Sequence, residues 1–268
     1  MRGPLNYIGG KSRFISTILP MLPLHTTYVE PFSGGAQIFF RKEPAKVEVL
    51  NDLDGELVNF YRVCQSHYEE LLRYLRFMIV GRNWYKKLQK TPPESLTDIQ
   101  RAGRYFYLQK STFGGKVIKQ NYAIQVVQPP HFSTAKLAKV IEDTHKRLDG
   151  VQIESLPYEK IIQKYDRTST FFYIDPPYYG VKGLYRFDFE HVQFEQLALL
   201  LRTIKGKFLL SVNDRPELRE IFRGFHFTKI SVPYSIQKHA GRRYGELLID
   251  NYSEHGRISK NSSSREAA

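Results

Sequence analysis

The run Thr170-Phe171-Phe172-Tyr173-Ile174, followed at once by Asp175-Pro176-Pro177-Tyr178, constrains this chain more than any other stretch. Aromatic and β-branched residues in unbroken succession read as a buried strand. The strand ends in a carboxylate, two prolines that fix φ and stiffen the loop, and an exposed aromatic ring. In open α/β sheets, ligands bind just outside the carboxyl ends of the strands. An acceptor and a stacking surface therefore sit where chemistry is normally done.

Further strand signals lie at 27–30, 46–51, 151–154 and 207–213. A closing antiparallel pair is expected at 227–232 and 246–251. Helical patterns fall between them: 11–19, stopped by Pro20; 36–41; 56–78; 189–204; and 216–222. Over 56–78, Leu57, Phe60, Tyr61, Cys64, Leu71, Leu72 and Leu75 share one broad face. Alternating strands and helices imply an α/β fold: a doubly wound, mostly parallel sheet with an antiparallel edge. The stretch 79–148 is basic, carries Pro92-Pro93 and Pro129-Pro130, and reads as helices joined by loops. Residues 56–150 are thus expected to form an inserted, mainly helical domain between two halves, 1–55 and 151–252, of one α/β domain. The polar, Ser-rich stretch 253–268 is expected to be disordered.

Charge narrows the partner. A net charge of +13 and a pI near 9.6 point to a polyanion. Between Arg101 and Arg147 nine Lys/Arg residues face only Glu142 and Asp143, with Tyr105, Phe106, Tyr107, Phe113 and Tyr122 interleaved. Cations for phosphates and flat rings for bases are the usual nucleic-acid mixture. The same rings could equally be the core of a helix. A single cysteine, Cys64, excludes an internal disulfide and a multi-cysteine zinc site, and no metal is expected. There is no run of 18 or more apolar residues and no signal-peptide core, so a cytoplasmic, DNA-associated protein is expected, with no membrane partner.

Three short constellations carry chemistry. Glu30-Pro31-Phe32-Ser33-Gly34-Gly35-Ala36 joins a strand to a helix, where glycines let a ligand approach the backbone and the helix N-terminus offers N–H groups. Asp52 ends the next strand and could accept hydrogen bonds from both ribose hydroxyls of a nucleoside; alone it is also a good helix cap. Gly9-Gly10-Lys11-Ser12 has the look of a phosphate-binding loop but fails on spacing, because Leu5 stands where glycine is required. Lys11 instead offers a cation, and Tyr7 a ring, to a carboxylate-bearing ligand.

The third is Asp175 to Tyr178. An aromatic amine is a poor nucleophile because its lone pair is delocalised into the ring. Acceptors on its two N–H groups, the Asp175 carboxylate and the Pro176 carbonyl, favour a pyramidal nitrogen. Tyr178 can stack on a base turned out of its duplex. Attack on a sulfonium methyl needs positioning above all.

At these residues the chain resembles the Dam-type DNA adenine methyltransferases over about residues 4–252. Asn6-Tyr7-Ile8-Gly9-Gly10-Lys11 is similar to their N-terminal cofactor segment, with Tyr7 in place of the usual Trp. Glu30 to Gly35 resembles their glycine turn, Asn51-Asp52-Leu53-Asp54 the segment whose acid binds the cofactor ribose, and Asp175-Pro176-Pro177-Tyr178 the catalytic tetrapeptide. Leu210-Ser211-Val212-Asn213-Asp214 resembles the strand end that follows. The resemblance implies a Rossmann-like methyltransferase fold and S-adenosyl-L-methionine as cofactor. It places cofactor contacts at Tyr7, Lys11, Glu30, Pro31, Phe32, Ser33, Gly34, Asp52 and Asp175. The target would be the N6 amine of a flipped adenine in double-stranded DNA, stacked on Tyr178. A restriction-modification setting fits the same family. Residues 101–122 resemble its DNA-recognition region, with Arg101, Tyr107, Lys110, Phe113, Gly114 and Gly115 in recognisable places. The site-reading hairpin is shortened and its motif residues do not carry over.

Charge nominates Lys110, Lys116, Lys119 and Asn121 as DNA contacts, with Lys238, Arg242 and Arg243 in the late loop. The protein is expected to be a monomer in solution, with room for more than one copy on DNA. Rival readings are a methyltransferase for RNA adenine or protein glutamine, a DNA-binding protein without activity, and a nucleotide hydrolase. The basic insertion opposes the glutamine reading, intact Asp175 to Tyr178 the second, and Leu5 the third.

Overall fold

The computed structural model describes residues 1–5, 7, 11–112, 117–118, 120–122, 132, 134–231 and 245–252. Seven strands form one sheet: β1 (Thr27–Glu30), β2 (Val47–Asn51), β3 (Gln152–Glu154), β4 (Thr170–Ile174), β5 (Lys207–Asn213), β6 (His226–Ser231) and β7 (Gly245–Asp250). Their order is β3-β2-β1-β4-β5-β7-β6. The first five run parallel, and β7 lies antiparallel between β5 and β6. This is the expected mixed sheet of a Rossmann-like methyltransferase, with its antiparallel edge. Strand order reverses between β1 and β4, and a crevice opens at such a switch point. Glu30 ends β1 and Asp175 follows β4, so both acids face that crevice.

The period of two in the strands assigns each residue to one of two cores. Tyr28, Leu50, Phe171, Tyr173, Leu209 and Leu248 pack into one cluster. Val29, Val49, Phe172, Ile174, Phe208, Leu210 and Ile249 pack into the other. The first face is covered by α2 (Gly55–Ser66), α5 (Asp98–Ser111) and α6 (Thr134–Leu148), through Leu57, Phe60, Phe106 and Ile141. The second is covered by α7 (Tyr158–Tyr165), α8 (His191–Leu201) and α9 (Pro216–Ile221), through Ile161, Ile162, Phe194, Leu197 and Leu218. Each fully buried aromatic or aliphatic side chain contributes about 1.5–3 kcal/mol. The helices drawn from 56–150 therefore share a hydrophobic core with the sheet. Two more, α3 (Tyr68–Arg76) and α4 (Arg82–Lys90), pack against α5.

Local chemistry sets the ends of these helices. Asp54 caps α2 by accepting from Glu56 N at 3.1 Å. Thr97 and Gln100 close a reciprocal capping box on α5. The helix expected over 56–78 is two helices, because His67 leaves helical geometry at φ −141°. The expected helix 11–19 is broken as well. A 3₁₀ turn at Lys11–Arg13, a single α-turn α1 (Ile15–Ile18) and a second 3₁₀ turn at Leu19–Met21 replace it, with Phe14 outside α geometry.

No α-helix forms at 36–41. Ala36 has φ +46°, which does not continue into a helix, and Phe39 N donates to the Glu30 carboxylate at 2.9 Å rather than to a helical carbonyl. The glycine turn thus leads into a tight, irregular turn and offers no helix N-terminus. Helix α7 is not anticipated by the sequence pattern.

Candidate active site

Three strand ends build the crevice, and Asn51 stitches their exit loops together. Its side-chain amide donates to Pro31 O and Leu156 O, both at 2.9 Å, and accepts from Leu156 N at 2.8 Å. Gly34 N and Asp54 N donate to the two oxygens of Asp52, each at 2.9 Å. Tyr61 Oη donates to Gly34 O at 2.8 Å. Gly34 has φ +46°, and a Cβ on Gly35 would stand 2.8 Å from Tyr7 Cβ. The turn must therefore be glycine at both positions for Tyr7 to lie against it.

The crevice holds about 1030 Å³ of empty space, open mouth included. Tyr7, Lys11, Glu30, Pro31, Phe32, Ser33, Gly34, Asp52 and Asp175 all line it, so the residues expected around a cofactor are brought together. Phe32 stacks on Tyr158 at 5.3 Å and meets Phe189 edge-on at 5.5 Å, making an aromatic wall. Burial pushes the Asp52 carboxyl up to about 6, against the backbone N–H groups that hold it down. Burial also lifts Glu30, to about 8; its carboxylate accepts from Tyr28 Oη at 2.6 Å and from Phe39 N.

The loop after β4 is held from β5. Tyr179 N donates to Asn213 Oδ1, and Asn213 Nδ2 donates back to Tyr179 O, both at 3.0 Å. Pro176 is buried and Pro177 half-buried. Lys11, only 2% exposed, places Nζ 2.8 Å from Asp175 Oδ1, 2.8 Å from Glu246 Oε1 and 3.2 Å from Tyr178 Oη. Tyr178 Oη donates to Glu246 Oε2 at 3.1 Å, and Ser211 Oγ donates to Glu246 Oε1 at 2.9 Å. Tyr178 is thus half-buried with its hydroxyl engaged, not the exposed ring the sequence suggests. Burial raises the Asp175 carboxyl to about 6, partly offset by Lys11 and reinforced by Glu246.

Glu246 and Arg186 are not picked out by the sequence reading, which includes Tyr173 only as part of the buried strand and Ser211 and Asn213 only within the strand end 210–214. Arg186 reaches from the segment after the Pro-Pro loop to within 3.4 Å of Asp54 Oδ2. Tyr185 to Phe189 line the mouth beside it.

Three of the interleaved rings of the insertion resolve as core, Tyr122 is half-buried, and Phe113 lies outside the described residues. Tyr105, Phe106 and Tyr107 are buried, and Phe106 stacks on Phe60 at 5.3 Å, so they offer no surface to bases. Several cations there are engaged internally. Arg101 pairs with Glu56 at 2.5 Å, Arg104 Nε donates to Leu88 O at 2.7 Å, and Arg147 Nη1 lies 2.5 Å from Glu48 Oε2. Lys110 is half-buried with Nζ 5.6 Å over the Phe106 ring, and burial lowers its ammonium to about 8. Asn121 is exposed. Lys116, Lys119, Lys238, Arg242 and Arg243 lie outside the described residues, as does 253–268. Exposed cations stand instead at Arg73 and Arg76 on α3 and at Arg82, Lys86, Lys87 and Lys90 on α4, a helix without an acid. Among the described residues, no cluster of His, Cys, Asp and Glu could hold a metal, and no helix is long and apolar enough to cross a membrane.

Relatives match along nearly the whole chain. A type II methyltransferase, M.CviBI, of Paramecium bursaria Chlorella virus NC1A is 26% identical over 94% of this chain and 100% of its own length. A second, M1.LlaDCHI of Lactococcus lactis subsp. cremoris, is 26% identical over 92% of this chain and 94% of its own. A DNA adenine methylase of Haemophilus influenzae is 24% identical over 89% of each. Residues 7–236 match the D12 class N6 adenine-specific DNA methyltransferases as a family. With that match spanning both the crevice and the Asp175 loop, the chain belongs to the D12 class of N6 adenine-specific DNA methyltransferases.

Proposed function

We propose that this chain transfers a methyl group from S-adenosyl-L-methionine to the N6 amine of an adenine turned out of double-stranded DNA. The observation that carries the reading is the shared crevice. Asp175, on a loop stiffened by two prolines and tied to Asn213, opens into the same space as Asp52 and the aromatic wall.

The crevice fits the cofactor. Both Asp52 oxygens keep acceptor capacity beyond their one backbone N–H each, which suits two ribose hydroxyls. Phe32, Tyr158 and Phe189 suit a flat base. One buried polar atom lining the crevice, Tyr173 Oη, has no hydrogen-bond partner among the described residues, as a site for a polar ligand would leave it. Tyr7, Lys11, Glu30, Pro31, Ser33 and Gly34 complete the enclosure. When bound, S-adenosyl-L-methionine supplies an electrophilic methyl on a sulfonium.

This chain's own residues do the rest. Asp175 accepts one N–H of the adenine amine and the Pro176 carbonyl the other, which localises the nitrogen lone pair. Tyr178 gives the flipped base a ring to stack on. Residues 1–55 and 151–252 hold cofactor and chemistry, and 56–150 carries DNA recognition. For DNA, the exposed cations of α3 and α4 join Lys110, Lys116, Lys119, Asn121, Lys238, Arg242 and Arg243 as candidates. The protein acts as a monomer in solution.

The test is transfer of labelled methyl from S-adenosyl-L-methionine to unmethylated genomic DNA, with the product sequenced for N6-methyladenine. Signal in wild type that is lost in Asp175→Ala supports the reading. No transfer by a folded wild-type protein that binds DNA overturns it.

A further inference from the structure

Glu246 sits in β7, 5% exposed, on a strand otherwise given to Leu247, Leu248 and Ile249. A carboxylate buried there loses hydration worth several kcal/mol unless paired and hydrogen-bonded. It is satisfied three times over: by Lys11 Nζ at 2.8 Å, Ser211 Oγ at 2.9 Å and Tyr178 Oη at 3.1 Å. Two of those partners belong to the catalytic loop or touch it. Replacing a buried ion group by well-packed apolar side chains is often neutral or stabilising, so stability alone does not account for this one.

The charges explain what it does. One ammonium lies between two carboxylates, Asp175 and Glu246, so the trio keeps one negative charge. Lys11 is shared, and its hold on Asp175 is correspondingly weaker. Without Glu246 the ammonium would be drawn to Asp175, the other carboxylate it pairs with among the described residues, and would compete for the oxygen that must accept from the substrate amine. The Tyr178 hydroxyl would also lose its acceptor, freeing the ring to leave its stacking position.

We propose that Glu246 is a positioning residue for methyl transfer, holding Lys11 and Tyr178 so that the Asp175 carboxylate stays available to the adenine amine. The inference rests on the reading of Asp175 as that acceptor. Glu246 touches no substrate; it acts through Lys11 and Tyr178. The groups facing Asp175 are Lys11 and Glu246, the hydroxyls of Tyr178, Tyr173 and Tyr185, and Glu30 behind the turn. Glu246 raises the Asp175 carboxyl and Lys11 lowers it. Removing the Glu246 charge takes away the first effect and strengthens the second, so the acid limb of the reaction must move to lower pH.

The experiment is single-turnover methyl transfer by full-length wild type, Glu246→Gln and Glu246→Asp across pH 5–8. KM for S-adenosyl-L-methionine, DNA affinity and thermal midpoint are measured alongside. For Glu246→Gln the transfer rate should fall about 10- to 100-fold with KM and DNA affinity within about 3-fold. Its acid limb should shift to lower pH, and Glu246→Asp, which keeps the charge, should restore the limb. A rate and acid limb like wild type would overturn the proposal, as would a loss confined to KM. Should Glu246→Gln fail to fold, Ser211→Ala, which removes one donor to Glu246, carries the test: a lower transfer rate at unchanged KM supports it, and an unchanged rate overturns it. Failure of wild type itself to methylate DNA would fall on the functional reading instead.

Discussion

In the crevice, the charges that reach the chemistry are buried and tied to partners; on α3 and α4 the cations stand in solvent. Lys11 is shared between Asp175 and Glu246, at 2.8 Å from each, in a poorly solvated space. Arg73, Arg76, Arg82, Lys86 and Lys90 are exposed and make no ion pair with any described residue. Exposed charges are screened over about 8–10 Å in ordinary salt, whereas buried ones are screened far less. The two regions should therefore answer differently to salt, pH and mutation: the crevice through rate, the helices through affinity.

The sharpest way to break that division is Asp175→Asn, which keeps shape and loses the acceptor charge. Transfer should fall roughly 10²- to 10⁴-fold, with DNA affinity within about 3-fold, as read by single-turnover rates and a binding titration. Asp52→Ala comes next. It should raise KM for S-adenosyl-L-methionine by about 10- to 100-fold, the worth of one or two charge-assisted hydrogen bonds, and leave the salt dependence of DNA binding alone.

On the other side, Arg82, Lys86 and Lys90 follow one another every fourth residue and so share one helical face. Changing all three to Ala should weaken DNA binding about 10-fold near 0.1 M salt. The slope of log affinity against log salt should flatten by about one for each phosphate that is no longer neutralised, at unaltered transfer rate with saturating DNA. Unchanged slope would remove α4 from the DNA surface. Arg101→Met, by contrast, unpairs the buried Glu56 and should lower the melting temperature by a few degrees without touching the slope.

The effect of pH is the mildest and has opposite signs for activity and stability. Asp175 and Asp52 titrate near 6, and Glu30 near 8, all raised by burial. Each folded-state value lies above the unfolded one, so each group favours the fold fully below about pH 4 and loses that contribution as pH rises through its folded value. With Asp175 as the proposed acceptor of the adenine amine, activity should decline below about pH 6. Glu30→Gln keeps an acceptor for Tyr28 and Phe39 N. It should therefore gain stability over wild type as pH rises from 6 to 9, measured by thermal melts at each pH.

How much of this is legible in the sequence depends on whether the signal is local. β4 and the Asp175 loop are plain, because an apolar run and two prolines act through their own backbone. Asp52 and the glycine turn are plain for the same reason. The helix expected at 36–41 does not form because the competitor for Phe39 N is Glu30, nine residues away, and side-chain competition across a turn leaves no periodicity. Arg101, Arg104 and Arg147 count toward DNA on composition alone, because composition records the sign of a charge and not its neighbour. Glu56, Leu88 O and Glu48, which hold them, come from elsewhere in the chain. Glu246 is invisible as a site residue for the same reason, being 235 positions from Lys11.

That separation has a consequence for synthesis. A ribosome releases the chain in order, so Lys11, the glycine turn, Asp52 and Asp175 all emerge while Glu246 is still unmade. Until β7 slots between β5 and β6, the nascent chain carries those motifs without Glu246 to share Lys11 with Asp175. On the proposed role of Glu246, the last strand to be made sets the moment at which the enzyme becomes competent.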